Sequence, residues 1–309
     1  MEKITNLEDD GSVTIEQISC AARGWSIEIT PAGANKIVSF SSCLEPGTSV
    51  NVTFLPGSDP DDTLEVAKRL YREEMIPIPH IAARSIKDKE QLEVIISNLA
   101  REANVSEVLI IGGGVREPVG EFDSSVQILE TGLLQKYGIQ RVGVAGHPEG
   151  SPDIAEKDLE NSLAEKNLIA KRDGLEMYIE TQFCFEADTV LNWEKRVRGA
   201  GNELPIRIGI PGPATIKTLF KFAQISGIGR SMRFVSKHAR NVTKLMTVQS
   251  PHLLLSGLAR GMVQDPECLI KHFHFYPFGG FTKTAEYAQA IESGQISLLS
   301  AGGFELMDR

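Results

Sequence analysis

From about residue 25 onward, short apolar runs alternate with longer amphipathic segments, and no other feature constrains the fold as strongly. A short apolar run suits a strand covered on both faces, and the amphipathic segment after it suits the helix that covers it. The repeat therefore describes βα units around a parallel sheet. Strands are expected near Ser26–Ile29, Ser49–Phe54, Ile76–Ile81, Glu107–Ile111, Arg141–Ala145, Met177–Thr181, Ile206–Ile210 and His272–Phe275. Helices are expected near Asp62–Glu73, Asp88–Ala103, Ser124–Tyr137, Asp153–Lys171, Thr189–Gly199, Pro213–Ala223, Ser231–Met246, His252–Gln264 and Thr282–Ser293. Pro77 and Pro79 each remove a ladder donor from the third strand. Eight strands joined by right-handed crossovers close naturally into an α/β fold of the (β/α)8 TIM-barrel type, with the working face at the carboxyl ends of the strands. Residues 25–309 are expected to form that single domain, with residues 1–24 as an N-terminal extension.

A chain of 309 residues can bury a large core, and its formal charge of -9 argues against a nucleic-acid surface. Lys217, Lys221, Arg230, Arg233, Lys237, Arg240 and Lys244 form a local basic run, either a solvated helix face or a site for an anionic group. Cys20, Cys43, Cys184 and Cys268 are widely spaced with no C-x-x-C pair, so reduced thiols in a cytoplasmic protein are expected. Cys184 reads more readily as a small buried hydrophobe than as a nucleophile. No apolar run is long enough for a membrane span, and the polar, acidic start does not read as a signal peptide.

Several polar residues fall where such strands should end. Glu28 is an ionisable group inside an apolar strand, where its pKa should rise unless an ion pair or a solvent-facing edge accommodates it. His80 follows Pro79, whose fixed φ restricts the backbone at a strand end. Thr53 precedes an acidic turn, Asp59-Pro60-Asp61-Asp62, that should cap the next helix. Gly112-Gly113-Gly114 after Val108–Ile111 is a turn that lets backbone amides approach a ligand, although it is neither G-x-G-x-x-G nor a Walker loop. His147 and Glu149 are too few to signal a metal site, and none is expected.

Four landmarks taken together carry a family resemblance: Ser26-Ile27-Glu28-Ile29-Thr30-Pro31, Ile78-Pro79-His80, His147-Pro148-Glu149-Gly150 and Thr181-Gln182-Phe183-Cys184-Phe185. In this order, the chain resembles the methylenetetrahydrofolate reductase family, of the flavin-dependent, single-domain bacterial type. The resemblance implies a homo-oligomeric oxidoreductase holding FAD without a covalent bond. NADH or NADPH would act as co-substrate and methylenetetrahydrofolate would be reduced to methyltetrahydrofolate, or the reverse, by ping-pong kinetics. It assigns Glu28 as the acid that protonates folate N10 and Gln182 as the residue that orients folate. Thr53, His80, Gly112, Gly113, His147 and Lys171 would contact the flavin, although a strand-suited threonine, a core histidine and a surface lysine are the plainer readings of three of these.

The chain also departs from the family. Ile111-Gly112-Gly113 stands where bacterial members commonly carry Arg-Gly-Asp, so the Asp that tunes flavin and touches folate is missing. Gly279-Gly280 stands in place of a familiar Asn-Arg. Arg116, Glu117, Glu121 and Asp123 are near enough in sequence to compensate, although a solvated loop is the plainer reading of that cluster. Two alternatives stay open: a divergent relative acting on another one-carbon or folate substrate, and a non-catalytic flavin- or folate-binding subunit.

Overall fold

The computed structural model describes residues 13–226, 246–300 and 302–307. Eight parallel strands close into a barrel: β1 (Ser26–Ile29), β2 (Ser49–Val52), β3 (Ile76–Ala82), β4 (Glu107–Ile111), β5 (Arg141–Gly146), β6 (Glu176–Phe183), β7 (Ile206–Pro211) and, after the two-residue strands β8 (Ala214–Thr215) and β9 (Val248–Gln249), β10 (Ile270–Tyr276). Pairing of β1 with β10 closes the ring. The (β/α)8 barrel expected from the sequence is the fold observed.

Strand parity sorts the residues. Ile27, Val50, Val108, Ile110, Val142, Val144, Ile179, Ile208, Phe273 and Phe275 belong to the apolar core shared with the outer helices. Their neighbours of the other parity, such as Glu28, Asn51, His80, Glu180, Arg207 and His274, lie inside the barrel, where side chains from opposite strands meet. The two prolines of β3 are accommodated because its ladder with β4 begins at His80, after both of them.

Local capping sets the helix starts. Asp59 caps Pro60–Arg72, Asp88 caps Lys89–Ala103 and Thr215 caps Ile216–Ile225, each with a side-chain oxygen accepting a first-turn amide. The single helix expected over Ser124–Tyr137 is instead two short ones, Ser125–Leu129 and Leu133–Lys136, because Gly132 adopts φ +72 between them. Ser231–Met246 and most of the basic run fall outside the described residues apart from Met246, Lys217 and Lys221.

The extension is not free-standing. Helix Ile15–Ala22, closed by a Thr14/Gln17 capping box, packs on His252–Gln264 and Phe281–Glu292. The antiparallel hairpin β11 (Ile296–Leu298) and β12 (Phe304–Leu306), unforeseen from the sequence, continues the same side. Among the described residues no helix is long and apolar enough to cross a membrane, and the four cysteines are free.

Candidate active site

The barrel interior holds a column of charge. TIM-barrel interiors are usually filled by branched aliphatic residues. Here Arg207 on β7 reaches Glu180 Oε2 on β6 at 3.2 Å and Glu107 Oε1 on β4 at 3.4 Å, with all three side chains almost wholly buried. Arg141 meets the other oxygen of Glu107 at 3.1 Å. The guanidinium of Arg207 also lies 4.4 Å over the Tyr178 ring. Higher in the barrel, Asn51 Nδ2 donates to Glu180 Oε1 at 2.6 Å and lies 3.3 Å from His80 Nε2. His274 Nδ1 is 2.8 Å from the Ser26 hydroxyl and 3.8 Å from Glu180 Oε2. Burial keeps both imidazoles neutral, reinforced at His274 by the nearby Arg207 charge: His80 is pushed down to about 3 and His274 falls well below the usual range.

Glu28 lies above this column. It pairs in register with Asn51 on the neighbouring strand, so both side chains point inward. The residue is partly open at the barrel mouth, but its carboxyl group is enclosed by protein. Burial, reinforced by the charge of Glu180, pushes its pKa up to about 8. Thr53 faces this carboxyl, yet its hydroxyl is buried without a hydrogen bond of good geometry. A carboxyl that keeps its proton at neutral pH is an available acid.

Gln182 sits within β6, which runs past its expected end to Phe183 with a register shift between Glu180 and Phe183. That irregularity depends on Gly209 opposite, where a Cβ would come within 2.6 Å of the Thr181 carbonyl oxygen. The Gln182 Oε1 accepts from the Phe183 amide at 3.1 Å, while its NH2 end has no partner among the described residues. Phe183 meets Tyr276 and Phe278 edge-on at 5.4 and 4.9 Å, and Tyr276 donates to the Thr181 carbonyl. These rings form an apolar wall beside an amide that can donate to a polar ring edge.

The structure arranges the other expected residues unevenly. Gly112 has open space around it, but Gly113 adopts φ +98 with a Cβ position 3.2 Å from Ala82 Cβ. A side chain there is strained, so this backbone disfavours the missing Asp as well as lacking it. Asp123 does not replace it, because its carboxylate is held by Arg84 at 2.6 Å. Burial pushes His147, at the end of β5, down to about 4.

Lys171 needs correction as a flavin contact. It lies in the last turn of Glu156–Asp173, which descends to the amino end of β6, and it pairs with Glu203 on the opposite face of the barrel from the strand ends. The same helix carries a second lysine, Lys166, that the sequence did not single out. It is buried, influences His147, and has no carboxylate at ion-pair distance among the described residues. Burial lowers its pKa to about 8, and an unpaired buried ammonium suits an anionic group such as a phosphate. Among the described residues no cluster of three or more His, Cys, Asp or Glu side chains could hold a metal ion.

Comparison with known proteins adds an independent line. The family model described as methylenetetrahydrofolate reductase matches residues 32–279. Methylenetetrahydrofolate reductase 2 of Saccharomyces cerevisiae is 35% identical over 106 residues, 34% of this chain and 17% of that protein. Methylenetetrahydrofolate reductase 1 of Schizosaccharomyces pombe is 35% identical over 95 residues, 30% of this chain and 15% of that protein. The matched stretches therefore span less than a fifth of either yeast relative. Among solved structures, an uncharacterized protein from Clostridium thermocellum that binds two copies of 5-methyl-5,6,7,8-tetrahydrofolic acid shares the fold, with a TM-score of 0.53 and 11% identity over 89% of this chain and 99% of that one.

Proposed function

Because this chain belongs to the methylenetetrahydrofolate reductase family, we propose that it transfers a hydride between NAD(P)H and the methylene group of 5,10-methylenetetrahydrofolate, using FAD. The observation that carries the reading is Glu28, a partly open residue at the barrel mouth whose carboxyl burial keeps protonated at neutral pH. FAD, when bound, supplies the carrier that accepts hydride from the nicotinamide and gives it to the folate.

The residues present fit that cofactor. Lys166 offers a buried positive charge for a phosphate, and His80 Nδ1 is a buried ring nitrogen without a hydrogen bond among the described residues. His147 and the open backbone at Gly112 lie at neighbouring strand ends. Glu28 would donate its proton to N10 of the folate, opening the five-membered ring so that the one-carbon unit can take up hydride. Gln182 would hold the pterin by the free NH2 of its amide, and the Phe183, Tyr276 and Phe278 rings would exclude water from the reacting face.

Gly113 favours one second reading, a relative adapted to another reduced folate or to oxidation of methyltetrahydrofolate. Its positive φ leaves the β4 end without the carboxylate that the commoner family pattern places there. Flavin reduction by methyltetrahydrofolate faster than by either nicotinamide would select it.

Replacement of Gln182 tests the folate role. In Gln182→Ala, reoxidation of reduced flavin by methylenetetrahydrofolate should slow roughly tenfold, the scale of one lost hydrogen bond, while flavin reduction by NAD(P)H changes little. Stopped-flow measurement of the two half-reactions checks this, and equal loss in both contradicts the assignment.

A further inference from the structure

We infer that Glu180 is a positioning residue for the proposed reaction: held at the centre of the barrel by Asn51 and Arg207, its carboxylate opposes ionisation of Glu28. The inference rests on Glu28 being the proton donor. It concerns a residue that the sequence reading treated as part of an apolar strand.

Three observations support it. The first is placement, since Glu28 and Asn51 are register partners on adjacent strands and Asn51 Nδ2 donates to Glu180 Oε1 at 2.6 Å. Asn51 thus stands beside Glu28 on the ladder while its side chain holds Glu180. The second is the count of interior charges. Arg207 supplies the interior positive charge and already faces Glu107 and Glu180 at 3.2 to 3.4 Å, while the half-exposed Arg141 is shared between Glu107 and Glu176. The other titratable groups facing Glu180 contribute no cation: His80 and His274 are kept neutral by burial, and burial also holds the Tyr178 and Tyr276 hydroxyls in their protonated form. A third ionised carboxyl at Glu28 would have no counter-charge, so the proton stays there.

The third observation is the difference in partners. Burial raises Glu180 only to about 7, because Arg207 and the Asn51 amide favour its charged form. Glu28 has neither partner and reaches about 8. Charge is therefore favoured on Glu180 over Glu28, and a charge on Glu180 opposes ionisation of Glu28.

The test follows the Glu28 carboxyl directly. Protein carrying 13C-labelled glutamate side chains is titrated by NMR, and the Glu28 signal is identified by its loss in Glu28→Gln. In Glu180→Gln, which can still accept from Asn51, the Glu28 midpoint should fall by at least about one pH unit. Glu180→Asp keeps the charge and should hold the midpoint near the parent value, which a purely structural role would not require. An unmoved midpoint in the folded Gln variant overturns the inference, as does an equal fall in the Gln and Asp variants. No folate or nicotinamide is needed, so failure here leaves the proposed reaction standing, and a protein that titrates as expected but passes no hydride refutes the reaction alone.

Discussion

Glu28→Gln should keep its FAD and its reduction by NAD(P)H, while reoxidation by methylenetetrahydrofolate slows by roughly two to four orders of magnitude, the scale of general acid catalysis. The amide preserves the size of the side chain but cannot supply a proton. The pH dependence gives a second readout. Because burial raises the Glu28 carboxyl to about 8, the acid is present below that pH and is lost above it. The parent rate of reoxidation should be level at neutral pH and fall as pH rises through about 8, and the Gln variant should lack that break. A variant that reoxidises at the parent rate removes Glu28 from the mechanism and makes Glu117 the next candidate to replace.

Arg207→Met should be the most destabilising single change in the barrel interior. It leaves Glu107 and Glu180 buried together, Glu180 with only neutral hydrogen-bond partners such as Asn51. Breaking such a network typically costs about 3–5 kcal/mol, and in a chain of this size that lowers Tm by roughly 6–15 °C. The sign with pH separates charge from packing. The unfolded Glu180 carboxyl ionises near 4.5, whereas in the folded variant, without Arg207, it resists ionisation. The deficit should grow as pH rises from 5 to 9 and shrink as the carboxyls take up protons. A loss that is small, or the same at every pH measured by thermal unfolding, would show that Arg207 acts only by filling space.

The barrel was legible because each βα unit carries its own signal, namely strand parity, helix caps and turn residues. The mouth was legible in part: Glu28, His80 and Gln182 stand in strands or strand ends that periodicity alone locates. The column beneath them was not. Glu180 and Arg207 each sit in a strand of otherwise apolar or alternating character, and Asn51 looks like an ordinary strand residue. Only ring closure brings β2, β6 and β7 within 2.6 to 3.2 Å at their polar tips.

A usable signal was present nonetheless. Tyr178, Glu180 and Gln182 share a parity, as do Glu107 and Leu109, and Arg207 and Gly209, so ionisable residues recur on the face that closure turns inward. The lysine was missed for a related reason. Lys166 and Lys171 are five positions apart on one helix, about 140° around its axis, so one points into the fold and the other to solvent. Spacing from Gln182 carries no information about that phase.

The most direct test of the account is the visible spectrum of the FAD-loaded protein under anaerobic conditions, with NADH, NADPH and then methylenetetrahydrofolate added in turn. The account predicts that one of the nicotinamides bleaches the flavin absorbance and that the folate restores it. Flavin that neither nicotinamide bleaches, or bleached flavin that methylenetetrahydrofolate leaves reduced, would contradict it.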